Sequence, residues 1–302
     1  MIMTTLSTQP LPENIKRLSP GSLIATFVLD PQQSFLDQHR PGGNPLFGTV
    51  MGIELMSKAA LVLSGSTHIV SVNELQNLPS LVFPDSQPRQ IHVRASLHAA
   101  DPNDTRIDCE VFSLGASGEL PHFKARFQPG SAYAAAPIIA IPDLSEAEVV
   151  TGADVYQLFF HGPVYRVIER IRWTPLVTVA TLNTRLPAAY SPPESATVAA
   201  PRIIEFALQT AGLMTIAHLG KNRVPHRTAR IQRYSATDVY GGQPLLAIAT
   251  RRAADPNVND MMVVDLQGRV LQRIEGYHTV QLPFPEDEKK VQGLQQKLLA
   301  RV

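Results

Sequence analysis

Apolar and polar residues alternate along most of the chain, and this pattern predicts β-strands. A period of two places successive side chains on opposite faces of a strand. The alternating or β-branched runs occur in both halves of the chain, and residues typical of turns separate them. They cover residues 22–30, 90–99, 106–114, 121–129, 165–173, 176–186, 226–234, 244–252, 260–266 and 269–283. Runs of this length favour a strongly curved antiparallel sheet.

Two other segments have the length and composition of buried helices. Residues 48–65 end at a Ser-Gly pair, and residues 201–220 begin with proline and end with glycine. Proline suits the first position of a helix, and glycine is common just after the last. Both segments are apolar on nearly every side, so we expect each helix to be buried all round.

The two helices align with each other without gaps at an offset of 151 residues, half of the 302-residue chain. The alignment matches Glu54 with Glu205 and favours an internal duplication over a chance match. A buried helix inside a curved antiparallel sheet is the hot-dog architecture. The predicted fold is therefore an α+β double hot-dog, with two curved antiparallel sheets that each wrap one central helix. We place the first half over residues 1–140, the second over 141–285 and a helical tail or linker over 286–302.

Composition narrows the possible functions. The chain is 44% hydrophobic with a net charge of +1, so it can bury a large core and offers no basic stripe for nucleic acid. No window approaches the roughly 18 apolar residues of a membrane span. The chain has one cysteine, Cys109, which cannot form an internal disulfide. This is typical of proteins from the reducing cytoplasm. The sequence has no P-loop, GxGxxG, GxSxG or CxxC and no spacing typical of a metal site.

Glu205 is the most unusual residue of the chain, because its helix is otherwise apolar. Burial raises the pKa of a carboxyl, so we expect Glu205 to stay protonated near neutral pH and to donate a proton. Gln209, one turn later, can orient it. The alternative is a structural ion pair with Arg202. For Glu54, Lys58 at i+4 favours the structural interpretation.

His39 precedes a Pro-Gly-Gly turn, whose glycines allow the histidine to be held at the mouth of a cavity. The helix that begins near Gly48 offers unpaired backbone N–H groups, which can polarise a substrate carbonyl. The sequence FFHGPVYR at 159–166 predicts a tight turn, which either lines a pocket with Tyr165 or only fills the core. On its own, a histidine next to a turn has no special meaning.

Together these segments resemble the dehydratase domains of polyketide synthases and related fatty-acid synthases, a double hot-dog family. Of that family's HxxxGxxxxP motif, His39 and Gly43 match, and Gly48 stands in place of proline. The family's YGPxF-like turn is similar to HGPVY at 161–165, with His161 for tyrosine and Tyr165 for phenylalanine.

The third motif is DxxxQ or DxxxH on the second helix, and EFALQ places Glu205 and Gln209 there, with glutamate for aspartate. The resemblance spans about residues 22–283. The sequence of these segments looks most like that of the dehydratase domains of polyunsaturated-fatty-acid-type and glycolipid-type iterative synthases.

The resemblance implies a mechanism that needs no cofactor. A 3-hydroxyacyl chain on acyl carrier protein enters between the halves, His39 removes a proton from C2, and Glu205 protonates the leaving 3-hydroxyl. Five residues are expected to bind or orient the substrate: Gly43, Gly48, His161, Tyr165 and Gln209. Tyr165 in particular is expected to contact the hydroxyl or line the tunnel.

The implied partners are the carrier-protein thioester, a second copy of the chain in a homodimer and other synthase domains, with no nucleic acid or membrane. The main alternative is a catalytically silent double hot-dog that dimerises or docks carrier protein. A further alternative keeps the fold for other chemistry, as in product-template cyclases, enoyl isomerases and thioesterases.

Overall fold

The computed structural model describes residues 12–98, 105–147, 149–189, 197–236, 242–281 and 287–299. Within these ranges the strands are β1 (Asn14–Ser19), β2 (Ser22–Leu29), β3 (His68–Asn77), β4 (Arg89–Leu97), β5 (Ile107–Gly115), β6 (Gly118–Gly130), β7 (Val149–Thr151), β8 (Ile168–Trp173), β9 (Val177–Leu182), β10 (Arg223–Arg233), β11 (Leu245–Arg251), β12 (Val258–Asp265) and β13 (Val270–Gln281). The helices are α1 (Ser34–Asp37), α2 (Thr49–Ser64), α3 (Gly152–Val155), α4 (Pro201–Leu219) and α5 (Glu288–Leu299).

All strands of the described residues pair antiparallel in one sheet, in the order β1-β2-β4-β5-β6-β3-β10-β13-β12-β11-β9-β8-β7. This order is mirrored about the β3–β10 pair. The first half runs two strands, α2 and four strands, and the second half repeats this succession around α4 with one additional short strand, β7, at its start. The repeated succession supports the duplication that the helix alignment predicted.

Each half of the sheet wraps one helix, which confirms the α+β double hot-dog. Helix α2 packs on β2 to β6, and α4 packs on β8 to β12. The two predicted sheets are joined into one, because β3 and β10 pair directly, with Val72 opposite Ile231 and Asn73 opposite Arg230. The halves therefore share backbone hydrogen bonds as well as packed side chains.

The predicted elements match the observed ones closely where a regular pattern exists. The helices expected at 48–65 and 201–220 are α2 and α4, and the ten predicted runs correspond to ten strands. The run at 165–173 is shorter than expected, since a turn occupies Pro163–Tyr165. Strands β1, β3 and β7 were not predicted. Residue 99 and residues 282–283 of two predicted runs lie outside the described residues.

Helix α5 forms much of the predicted tail and packs on the domain. Its apolar residues Val291, Leu294 and Leu298 are buried, and Gln295 Nε2 donates a hydrogen bond to the carbonyl oxygen of Ala217 in α4. The tail is thus a helix at the edge of the domain. Residues 1–11, 286 and 300–302 lie outside the described residues, and the domain boundaries at 140/141 and 285/286 stay predictions.

None of the helices described in the structure is long and apolar enough to cross a membrane.

Glu54 fixes the start of α4 to α2. Its carboxylate accepts hydrogen bonds from the backbone N–H groups of Val198 (3.1 Å) and Ala199 (2.8 Å), just before α4 begins. Lys58 Nζ lies 3.3 Å from Glu54 Oε1. The side chains of Glu54 and Lys58 are both buried, so the structural interpretation of Glu54 is confirmed. One glutamate of the duplicated pair therefore positions the helix that carries the other.

We expect Glu54→Ala to destabilise the fold by about 3 kcal/mol, because removing one partner of a buried ion pair leaves polar groups without compensation. The measurement is chemical denaturation followed by circular dichroism. Asp85→Ala is the matched control, since Asp85 forms an exposed i,i+4 pair with Arg89 at 3.0 Å. Equal midpoints for the two variants would contradict the anchoring role of Glu54.

Candidate active site

Two loops, one from each half, meet through Gln38. The Gly162 N–H donates to the Gln38 carbonyl oxygen, and the Val164 N–H donates to Gln38 Oε1, both at 2.8 Å. A Cβ at Gly162 would lie 2.6 Å from Gln38 Cβ, so only glycine permits this approach. The contact places His39 and His161 in an antiparallel β-bridge. Gln38 was not identified as functional from the sequence.

His39 is held in one tautomer. Its Nδ1 lies 2.8 Å from the carbonyl oxygen of Leu46, and because a carbonyl only accepts, Nδ1 carries the hydrogen. The Nε2 atom keeps its lone pair. The turn Pro41–Gly43 brings Leu46 back to His39, and Gly43 adopts a φ of +90° in that turn.

The environment of His39 favours the neutral imidazole. Burial, as the largest cause, and the nearby His161 lower the pKa of His39 to about 4, although the charge of Glu205 acts to raise it. The ring centroids of the two histidines lie 5.5 Å apart. At neutral pH His39 is therefore uncharged, with Nε2 able to accept a proton.

Glu205 is held by two donors on the same oxygen. His161 Nε2 lies 3.1 Å and Gln209 Nε2 lies 2.8 Å from Glu205 Oε1. Glu205 Oε2 accepts no hydrogen bond within the described part of the chain. Arg202 instead donates to the carbonyl oxygens of Val164 (3.1 Å) and Pro187 (2.7 Å). The alternative interpretation, an Arg202–Glu205 ion pair, is wrong.

The expected protonation of Glu205 is also wrong. Burial acts to raise the pKa of Glu205, but the hydrogen bond and electrostatic effect of His161, the electrostatic effect of His39 and the hydrogen bond of Gln209 lower it below its ordinary value. His161, on a turn that is distant in sequence, contributes most to this lowering of the pKa. The pattern of the helix alone did not reveal that contact. Glu205 is consequently a stronger acid than an isolated buried carboxyl.

Gln209 orients Glu205 and is itself oriented by Tyr156. The Tyr156 hydroxyl donates to Gln209 Oε1 at 2.8 Å and accepts from the Ile168 N–H. Gln209 Nε2 donates to Glu205 and to the carbonyl oxygen of Tyr165 at 3.0 Å, so its amide can face only one way. Tyr156 was missed in the sequence, because it follows the short helix α3 outside any motif.

Tyr165 takes part through its backbone. Its hydroxyl donates to the Phe35 carbonyl oxygen at 3.1 Å, and its ring lies 6.0 Å from that of His39. Tyr165 is fully buried and does not belong to the cavity wall that the structure describes. The structure thus places its hydroxyl on Phe35, away from the position expected for contact with a substrate.

The site opens into a cavity of about 300 Å³ between the two halves. The predicted residues in its wall are His39, Gly48, His161, Glu205 and Gln209. Aromatic and aliphatic side chains form much of the remaining wall: Phe47, Phe123, Phe159, Phe160 and Leu208. Gly43 lies at the exposed turn, outside this wall. No group of three metal-ligating side chains gathers anywhere in the described ranges.

Comparisons with known proteins identify the family of the chain. The family model for the polyketide synthase dehydratase domain matches residues 10–114, and the model for the polyketide synthase dehydratase N-terminal domain matches residues 143–289. Together the two matches cover most of the chain. The chain belongs to the family of polyketide synthase dehydratase domains.

Solved structures share the fold of this dehydratase domain at low identity. The dehydratase domain from the CurF module of curacin polyketide synthase is 18% identical, with a TM-score of 0.75, over 90% of this chain and 98% of that one. A trans-AT polyketide synthase dehydratase domain from Brevibacillus brevis is 18% identical, with a TM-score of 0.74, over 92% and 99%. A pyran synthase domain of the sorangicin pathway is 20% identical, with a TM-score of 0.72, over 90% and 98%.

No curated protein matches the sequence. The narrower resemblance to polyunsaturated-fatty-acid-type and glycolipid-type synthases is not confirmed by these findings and stays a prediction.

The dehydratase domain departs from its family motifs at three points of the site. Gly48, in place of proline, has a φ of −76° that proline also adopts, and an added Cβ would lie 3.3 Å from His39 Cε1. His161, in place of tyrosine, contacts the carboxylate of Glu205. Glutamate in place of aspartate lengthens the acid that this histidine meets.

NMR titration of the dehydratase domain should show His39 with a pKa of about 4. In His161→Phe, which removes the electrostatic effect of the neighbouring imidazole, we expect the pKa of His39 to move upward while burial keeps it below 6.5. The carbon and nitrogen shifts of the ring report the protonation directly. A His39 pKa unchanged by the substitution would contradict the electrostatic coupling of the two histidines.

Proposed function

We propose that this domain eliminates water from 3-hydroxyacyl thioesters on acyl carrier protein and releases 2-enoyl thioesters. The observation that carries the proposal is the position of His39 and Glu205 on one cavity. A neutral imidazole from the first half and a carboxyl from the second half provide a base and an acid on two sides of a small substrate. A silent scaffold would not need this pairing.

In the proposed reaction, His39 Nε2 accepts the proton from C2 of the acyl chain. The reaction starts from the form of Glu205 that carries a proton on Oε2, which is the minor form at neutral pH because the lowered pKa favours the carboxylate. The C2–H electron pair forms the C2–C3 double bond, the C3–O bond breaks, and Glu205 gives its proton to the departing hydroxyl, which leaves as water. His39 then carries a proton and Glu205 is a carboxylate, so transfer between them restores the starting state. Only acid–base chemistry is involved, and no cofactor is required.

The partners of Glu205 support its role as the acid. His161 and Gln209 both donate to Oε1, which leaves Oε2 as the oxygen available for a proton. When that proton leaves, the same two donors stabilise the carboxylate. We assign Gln209 and His161 as orienting residues of Glu205, with Gly43 and Tyr165 supporting the two loops.

Gly48 is proposed to polarise the thioester carbonyl. Its N–H donates no hydrogen bond to any residue in the described ranges, and it lies at the start of α2 in the cavity wall. A donor at the carbonyl oxygen stabilises the negative charge that develops as C2 loses its proton. This would make the C2–H more acidic, which compensates for the weak basicity of His39.

Structures that share this fold support a histidine and a carboxylate as the reactive pair. Two matching structures of the CurK dehydratase are inactive mutants, one with phenylalanine for histidine and one with asparagine for aspartate. By analogy we also propose a homodimer, other synthase domains as partners and a cytoplasmic location.

Incubation with a 3-hydroxyacyl carrier protein should produce a loss of one water, measured by intact mass spectrometry. We expect His39→Ala and Glu205→Gln each to reduce the rate by at least about 100-fold, since each removes one half of the acid–base pair. Thr105→Ala is the control, because Thr105 is exposed and does not belong to the cavity wall. Full activity in both site variants would overturn the assignment, and inactivity of the unmodified protein would favour the scaffold alternative.

Gly48→Pro should be roughly 10- to 100-fold slower than Gly48→Ala in kcat/KM. Both variants add a Cβ next to His39, but only proline removes the N–H, so their ratio isolates the donor. Steady-state kinetics with the same carrier-protein substrate gives the ratio. Equal rates in the two variants would show that the carbonyl is polarised elsewhere.

A further inference from the structure

Tyr277 is a polar residue of the cavity wall that the proposed mechanism does not use. It lies on β13 and lines the same cavity as His39 and Glu205, and only 3% of it is exposed. Its hydroxyl makes no hydrogen bond within the part of the chain that the structure describes. Buried tyrosine hydroxyls normally have a partner, so this one is available to a ligand.

A break in the strand directs Tyr277 inward. Ile274 and Tyr277 are both buried although three positions separate them, whereas side chains of a regular strand return to one face every two positions. The alternation of inward and outward side chains is interrupted at Gly276, which has a φ of +63°. The pairing register with β12 shifts at the same point. This is a β-bulge, a feature that re-aims a side chain.

The bulge is fixed by its surroundings. Asp260 Oδ1 accepts the Gly276 N–H at 2.7 Å, and Arg252 holds Asp260 through two contacts of 2.8 Å. A Cβ at Gly276 would lie 2.8 Å from Ala229 Cβ, so the close approach of β10 depends on glycine. The orientation of Tyr277 is therefore built into the strand.

The other two tyrosines near the site are already committed. The Tyr156 hydroxyl donates to Gln209, and the Tyr165 hydroxyl donates to Phe35. Tyr277 differs because its hydroxyl has no such acceptor in the described ranges. Burial raises its pKa and the charge of Glu205 raises it further, so the phenol stays protonated and can donate.

We propose that the Tyr277 hydroxyl donates a hydrogen bond to the C3 oxygen of the substrate and holds that oxygen against Glu205. The inference rests on the proposed dehydration and adds a second contact to the leaving hydroxyl. Glu205 breaks the C3–O bond by protonation, and Tyr277 keeps its own proton throughout. A substrate without an oxygen at C3 gains nothing from this contact.

The first test compares Tyr277→Phe with the unmodified chain on 3-hydroxybutyryl pantetheine thioester. We expect kcat to fall about 10-fold, the effect of one hydrogen bond to a reacting oxygen, with an unchanged melting temperature. Tyr133→Phe is the matched control, because Tyr133 stacks on His68 away from the cavity. Unchanged kcat in Tyr277→Phe, alongside an active unmodified chain, overturns this inference alone.

The second test measures binding without turnover. In a His39→Ala background, calorimetry compares 3-hydroxybutyryl and butyryl pantetheine thioesters with and without Tyr277→Phe. We expect the second substitution to weaken only the hydroxylated ligand, by about 10-fold. Equal weakening of both ligands indicates a packing role and contradicts the proposal. An unmodified chain that neither binds nor dehydrates the hydroxylated thioester would overturn the proposed function as well.

Discussion

The site depends on the contact between Gln38 and Gly162. Each comes from a different half of the duplicated chain, and their backbone and side-chain hydrogen bonds bring His39 and His161 side by side. That approach brings the base, from the first half, next to His161, which contacts the acid in the wall of the shared cavity. The glycine is essential, because a side chain at this point would separate the loops by the width of a Cβ.

The same approach explains the electrostatics of the pair. Burial and the nearby imidazole of His161 make His39 a weak base, whereas the donors around Glu205 outweigh its burial and make it a stronger acid. The imidazole of His161 contributes to both shifts, because it faces the ring of His39 and contacts the carboxylate of Glu205. Replacing a family tyrosine by histidine therefore changes both partners at once.

Most of the fold was predictable from the sequence, because regular alternation and apolar helices carry strong local signals. Strand β3 was the main omission, although it joins the two halves. Its alternation is broken at Glu74, which has a φ of 54°, and the register with β6 shifts between Asn73 and Gln76. A bulge removes the period-two pattern on which the prediction relied.

For the candidate site, the motifs identified His39, Glu205 and Gln209, which the structure brings to one place. Gln38, Tyr156 and Tyr277 were not found, since they act through contacts between residues distant in sequence. The pKa of Glu205 was predicted in the wrong direction for the same reason. A helix pattern reports burial, but it does not report which side chains of another loop will face the buried group.

The anchoring role of Glu54 has a consequence for stoichiometry. In a symmetric pair of hot-dog subunits, equivalent glutamates could each serve a reaction centre, and two acyl chains could be bound. Here one of the two glutamates holds the backbone that leads into α4, with Lys58 beside it. Glu205 is therefore the one glutamate in the wall of the described cavity, and under the proposed function that cavity would act on one acyl group at a time.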